Sequence, residues 1–286
     1  MPTFDHLITS RTATIRLSES TGAGLPLLLL HGSGASRQVF MHQFNNPLAR
    51  AHRVIAPDLP GHGESSDALN PATDYSIPAL ARTVTEVLAA RGIERFAIFG
   101  WSLGGHVGIE LLATHPGVAG LMISGTPPIS PGPLGLLRGF QTNLDLLLAT
   151  KEQFTERDAL RFYEMCYHGN GDGAFLEAIR RADGRVRPTV SRSLMFGEGA
   201  DQRRAVEQAQ VPVAIVNGEQ ESVARLNYVA NLDYATLWTN TCHIIPNAGH
   251  AAFWDQPDMF NHLLTRFMAD AAAFGSTGAV PYAKSA

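Results

Sequence analysis

Six short apolar runs punctuate this chain, at residues 26–30, 53–57, 95–99, 120–123, 212–216 and 243–245, each closed by Gly, Pro, Asn or Asp. Successive side chains of a strand point to opposite faces, so a half-exposed strand alternates apolar and polar residues. Most of these runs do not alternate: Leu27-Leu28-Leu29-Leu30 and Phe96-Ala97-Ile98-Phe99 are apolar at every position. Such strands need cover on both faces, as in a parallel sheet flanked by helices. The intervening segments supply those helices. Over 77–91, Ile77, Leu80, Ala81, Val84, Val87 and Leu88 fall on one helical face, and Gly92 follows as a natural stop. Residues 103–114 and 257–272 carry the same periodicity. Strand and helix in alternation predict an α/β fold, with a mostly parallel sheet and helices on both faces. Residues 11–18 alternate instead, which predicts an antiparallel strand at the sheet edge.

One stretch breaks the rhythm. From Thr126 to Gln208 a Pro/Gly-rich entry is followed by helical patterns without a good strand, over a length no compact loop has. The organisation expected is therefore a core of 1–125 and 209–272, a helical cap insertion at 126–208, and a mobile C-terminal tail at 273–286. An apolar fraction of 45 % excludes general disorder. The longest unbroken apolar run, 25–30, is far below the roughly 18 residues of a membrane helix. Residues 1–20 carry Asp5, Arg11, Arg16 and Glu19 and lack a signal-peptide core, so a cytoplasmic protein with no membrane partner is expected.

Composition also narrows the chemistry. Two separated cysteines, Cys166 and Cys242, make neither a disulfide framework nor a Cys-rich zinc site. There is no phosphate-binding GxxxxGK[ST] and no HExxH, so neither cofactor nor metal is expected. The net charge of −4 advertises no polyanion-binding surface. Seven arginines cluster between Arg180 and Arg204, interleaved with Asp183, Glu198 and Asp201. That mixture reads as a solvated helix face or partner surface, not as a nucleic-acid site.

Gly100-Trp101-Ser102-Leu103-Gly104 directly follows the run ending at Phe99 and directly precedes the helical segment beginning at Leu103. This is the context a GxSxG nucleophile elbow requires. The serine sits on a strained strand-to-helix turn, with glycines where neighbouring backbone passes too close for a Cβ. The helix that follows points its positive end at developing negative charge. Ser102 is thus the candidate nucleophile. The partners of such a serine follow in the order acid, then histidine. His250, in Pro246-Asn247-Ala248-Gly249-His250 just past the last run, is the candidate base. His31, His62 and His106 stand in motifs that commonly use histidine structurally. The exit of the 212–216 run, Asn217-Gly218-Glu219-Gln220-Glu221, offers two carboxylates, of which Glu221 is favoured over Glu219. The preceding exit, Ser124-Gly125-Thr126-Pro127-Pro128, offers none. An oxyanion hole needs two amides, expected from Leu103 and from Ser33 in the turn His31-Gly32-Ser33-Gly34. Trp101, and Phe162 and Tyr163 among the many apolar cap residues, are the candidate substrate contacts.

His31-Gly32, Asp58-Leu59-Pro60-Gly61-His62-Gly63-Glu64-Ser65, the 100–104 elbow and Ala248-Gly249-His250 together resemble the α/β-hydrolase superfamily. A narrower likeness is carried by Phe99-Gly100-Trp101-Ser102-Leu103-Gly104-Gly105-His106, Gly120-Leu121-Met122-Ile123-Ser124-Gly125-Thr126-Pro127-Pro128, and Val216-Asn217-Gly218 with Glu221. These segments look like the α/β-hydrolase-type N-acyl-homoserine lactonases that degrade quorum signals, and Thr155-Glu156-Arg157-Asp158 extends the likeness into the cap. Glutamate as triad acid also fits that group. One departure is Ser33, where the group would have Asn after His-Gly. The resemblance implies a serine hydrolase of small acylated lactones or esters, working without metal as a monomer or homodimer. A carboxylesterase or enol-lactonase, and a hydrolase-like receptor that binds its ligand without turnover, are the competing readings. A haloalkane dehalogenase or epoxide hydrolase would want Asp where Ser102 stands.

Overall fold

The computed structural model describes residues 3–277. Among them eight strands form one sheet: β1 (Phe4–Thr9), β2 (Thr14–Glu19), β3 (Gly24–Leu30), β4 (His52–Pro57), β5 (Phe96–Trp101), β6 (Val118–Ser124), β7 (Val213–Gly218) and β8 (His243–Ile245). Their order across the sheet is β1-β2-β4-β3-β5-β6-β7-β8. β1 and β2 pair antiparallel, as do β2 and β4, and every pairing from β4 to β8 is parallel. The alternating segment read at 11–18 is β2, shifted toward its C-terminal side. β1 was not visible in the sequence because it lies on the outer edge, largely exposed, where no burial enforces a pattern.

Side chains of the central strands sort by parity. Ala97, Phe99, Trp101, Met122, Ala214 and Val216 enter one apolar core, and Phe96, Ile98, Leu121, Ile123, Val213 and Ile215 enter the other. The uniform apolar runs of the sequence are the trace of this two-sided burial. On the second face pack α1 (Ile77–Ala90), through Leu80, Val84, Val87 and Leu88, and α2 (Leu103–Thr114), through Val107 and Leu111.

Between β6 and β7 the chain leaves the sheet through α3 (Pro133–Gly139), α4 (Glu156–Tyr167), α5 (Gly173–Arg181), α6 (Val186–Phe196) and α7 (Gln202–Glu207). α4 starts with a reciprocal capping box, in which Thr155 accepts from the Asp158 amide and Asp158 from the Thr155 amide. The cap does not bury a core of its own. Phe162, Met165, Tyr167, Phe175 and Ile179 belong to the same cluster as Phe99 and Trp101. Hydrogen bonds fasten it as well: the Asp183 amide donates to the Gly61 carbonyl at 2.8 Å, and the Tyr75 hydroxyl to Asp183 at 2.6 Å.

The arginine cluster is for the most part the solvated face expected of it: Arg180, Arg181, Arg185, Arg192 and Arg204 are exposed. Arg180 pairs with Glu156 and Glu177, Arg181 reaches Asp67 and the Ser65 carbonyl, and Arg185 pairs with Asp183. Arg187 is buried outright.

The last helix, α8 (Pro257–Thr277), lays Phe260, Leu264, Phe267, Met268 and Ala271 on the first core. It runs past the expected end at 272, so residues 273–277 are helical and not a loose tail. Positions 278–286 lie outside the described residues. Among the described residues no helix is long and apolar enough to cross a membrane.

Candidate active site

β5 passes into α2 through Ser102, whose backbone sits at φ 53° and ψ −117°. A side chain there stores strain of about 1–3 kcal/mol, which the surroundings must hold in place. They do so by close packing. A Cβ on Gly104 would lie 2.0 Å from the Leu30 carbonyl oxygen, and one on Gly100 2.5 Å from that of Gly104. The Ser102 amide donates to the Ser124 carbonyl at 2.9 Å, and the Thr126 hydroxyl donates to the Ser102 carbonyl at 2.9 Å. The elbow is thereby tied to the ends of both β3 and β6.

His250 follows β8 and is 1 % exposed. Its Nδ1 lies 2.7 Å from Glu221 Oε1, in the loop after β7. The same oxygen accepts the amides of Val223 at 2.7 Å and Ala224 at 3.1 Å. Burial raises the Glu221 carboxyl pKa. The charge and hydrogen bond of His250, with the two amides, more than offset this and leave it below its ordinary value. An ionised carboxylate therefore fixes the proton on Nδ1 and leaves Nε2 free to accept one. Trp101 holds the ring from the other side, its Nε1 donating to the His250 carbonyl at 2.9 Å. Glu219, by contrast, is exposed and accepts the Asn247 amide at 3.2 Å.

The Leu103 amide, first in α2, has no acceptor within its own helix. Ser33 stands on the turn after β3. That turn is set by His31, whose Nδ1 donates to the Gly32 carbonyl at 2.8 Å while Nε2 accepts the Leu59 amide at 2.9 Å. Burial lowers His31 to about 4 and His62 to about 3, so both are neutral. Asp58 supports the same loops by accepting the Arg37 amide and guanidinium and, at 2.8 Å, the Glu64 amide.

Ser102, His250, Leu103, Ser33, Trp101 and Phe162 all line one cavity of about 400 Å³ beneath the cap. Glu221 sits behind His250. Tyr163, expected beside Phe162 as a substrate contact, is not on this wall; its hydroxyl donates to the Gly171 carbonyl. The ring of Tyr163 packs near that of Tyr167 instead, at 5.4 Å between centroids. From α4 the cavity takes Phe162, Met165 and Cys166. No hydrogen bond joins Ser102 Oγ to His250 among the described residues; in unliganded enzymes this contact is often long and tightens on the substrate.

Sequence reasoning missed several residues at the site. Asn217 accepts the Gly125 amide at 2.7 Å, which joins the ends of β6 and β7 beneath His250. Arg187 reaches the cavity wall from α6. It donates to the carbonyls of Lys151 and Glu152, both at 2.7 Å, and stacks on Phe154 at 3.6 Å. Burial lowers its pKa to about 10. His106, on the wall from α2, meets Gln202 of α7. Asn217, at a strand exit beside glycine, was the one with a local signal; the others depend on which elements come together.

A strained serine at a strand-to-helix turn, sharing a cavity with a buried carboxylate–imidazole pair, is the equipment of an acyl-transferring hydrolase. The alpha/beta hydrolase fold family matches residues 26–257, and the chain belongs to that family and is by class a hydrolase. Within it, this chain is similar to the structure of the N-acyl homoserine lactonase AidH complexed with N-butanoyl homoserine. The two are 39 % identical with a TM-score of 0.91, covering 94 % of this chain and 97 % of the other. The pimeloyl-acyl-carrier-protein methyl ester esterase of Xanthomonas axonopodis pv. citri is 30 % identical over 260 residues, 87 % of this chain and 96 % of its own. The AB hydrolase superfamily protein YisY of Bacillus subtilis is 24 % identical over 272 residues, 92 % and 98 % of the two chains.

Proposed function

We propose that this protein opens the lactone ring of N-acyl-homoserine lactones, with Ser102, His250 and Glu221 as its triad. Ser102 Oγ attacks the ring carbonyl while His250 Nε2 takes its proton and Glu221 stabilises the imidazolium. The Leu103 and Ser33 amides hold the oxyanion. His250 then protonates the leaving alkoxide, which stays tethered to the acyl-enzyme. Water activated by His250 attacks the ester, freeing Ser102 and the open-chain acid. No step calls for a metal or cofactor. The enzyme acts in this reading in the cytoplasm as a quorum-quenching lactonase.

Support comes from the cavity. Phe140, Leu146, Leu147, Phe162, Met165, Leu194 and Met195 line it, so an acyl tail would lie against apolar side chains while its head reaches Ser102. The likeness to AidH across nearly the whole chain, cap included, points to the same head group.

The experiment is incubation with a panel of acyl-homoserine lactones and simple esters, with products read by mass. The expected product is substrate plus one water, its amide intact and its ring re-formable in acid. Each buried CH₂ stabilises by about 0.8 kcal/mol, so two more carbons should raise kcat/KM roughly tenfold until the cavity is full. Free homoserine lactone with a fatty acid would instead identify an acylase. Brisk cleavage of simple esters with no lactone opened would identify a carboxylesterase.

A further inference from the structure

Beside the nucleophile stands a polar pair that the reaction above does not use. His106 lies on α2 one helical turn past Ser102, is 4 % exposed and forms part of the cavity wall. Its amide donates to the Ser102 carbonyl at 3.2 Å, so its position is tied to the elbow itself. Its Nδ1 faces Gln202 Oε1 at 2.7 Å, and Gln202, at the start of α7, is also 4 % exposed. An amide oxygen can only accept, so Nδ1 carries the proton and Nε2 of the neutral ring is left with its lone pair. Burial lowers the His106 pKa to about 4, and the ring stays neutral near pH 7.

Nε2 has no protein partner among the described residues. The ring packs near Phe140, another wall residue, at 6.0 Å between centroids. An imidazole lone pair open to a largely apolar cavity is a ready acceptor for a ligand N–H or O–H. Of the other polar residues of the wall, Gln141, Thr142, Asn143, Thr150, Arg187 and Ser191 lie on the cap and Ser33 on the turn after β3. His106 stands on the helix that Ser102 opens, one turn along it.

We propose that His106 Nε2 accepts a hydrogen bond from the substrate's secondary amide N–H, and that this contact selects α-acylamino lactones over lactones lacking the amide. The assignment rests on the lactonase reading above. Gln202 acts as a positioning residue that holds His106 in the accepting tautomer.

The test compares kcat/KM for an N-acyl-homoserine lactone and for its carba-analogue, in which CH₂ replaces the amide N–H and the chain is unchanged. Wild type should prefer the amide by about tenfold to a hundredfold. In His106→Leu that preference should collapse to within about threefold, with the loss falling mainly on the amide lactone. His106→Gln, whose side-chain oxygen can accept, should keep part of it. Wild type treating the two lactones alike overturns the proposal with no variant needed, which covers a Leu variant that does not fold. A folded His106→Leu that slows both lactones equally also overturns it. Wild type that cleaves a chromogenic short-chain ester but opens neither lactone overturns the lactonase reading, and this inference with it.

Discussion

Replacing Glu221 by glutamine separates the charge of the carboxylate from its hydrogen bonds. Oε1 takes three of them, from His250 Nδ1 at 2.7 Å, the Val223 amide at 2.7 Å and the Ala224 amide at 3.1 Å. Backbone amides can only donate, so in Glu221→Gln the side-chain oxygen must occupy the Oε1 position and the NH₂ that of Oε2. His250 Nδ1–H then keeps its acceptor, and the imidazole keeps its tautomer. The loss of about 10⁴ that follows a wrong tautomer does not apply. What disappears is the attraction between carboxylate and imidazolium in the transition state. With charge centres about 4 Å apart and an effective dielectric near 20, that is about 4 kcal/mol, or roughly 10³ in kcat. Oε2 is buried without a partner, so the incoming NH₂ finds no acceptor and stability should fall by about 1–3 kcal/mol. Glu219→Gln, at an exposed side chain, should stay within about threefold of wild type. The assay is kcat on a chromogenic short-chain ester, with thermal unfolding alongside. Retention of more than a tenth of wild-type kcat in Glu221→Gln, or a larger loss in Glu219→Gln, would refute the assignment of the acid. A loss as deep as that of Ser102→Ala would refute the charge argument and show that the imidazole had turned over.

Ser102→Ala should fold normally and lose on the order of 10⁴ to 10⁶ in kcat. Ser102→Gly should be equally inactive yet melt a few degrees higher, because glycine removes the strain at φ 53°; a lower melting temperature would mean the elbow stores none. His31, His62 and His106 have folded pKa values lowered by burial to about 4, 3 and 4. The unfolded chain takes up those protons below about 6.5 while the native state refuses them, so the stability is complete above that pH and drains away as pH falls. Three such groups give a slope of up to about 4 kcal/mol per pH unit between roughly pH 6 and 4.5, measurable by urea unfolding. A flat profile there would mean the rings are accessible to protons. Among the described residues no three His, Cys, Asp or Glu side chains group to hold a metal, and activity is expected to survive exhaustive dialysis against EDTA. Loss on chelation, restored by one particular metal, would contradict the serine mechanism.

Most of what could be read directly was local. Leu27–Leu30 and Phe96–Phe99 announce two-sided burial because a strand's period is 2 and no polar face interrupts it. The elbow is legible because one five-residue turn carries the strain, the candidate nucleophile and one candidate oxyanion donor together. Chain order alone then brings His250 and Glu221 into consideration. The sequence could not separate the two glutamates by more than a preference; burial, the Val223 and Ala224 amides, and the distance to His250 distinguish them. Nor could helical periodicity say which face of α4 meets the cavity, since Phe162 and Tyr163 are both apolar enough to be buried and only docking on the sheet settles which turns inward. His106 and Gln202, 96 positions apart, form one unit only because α2 and α7 meet at the cap's root. Local geometry is written in neighbouring residues, whereas the direction a side chain faces is decided by whichever distant element packs against it.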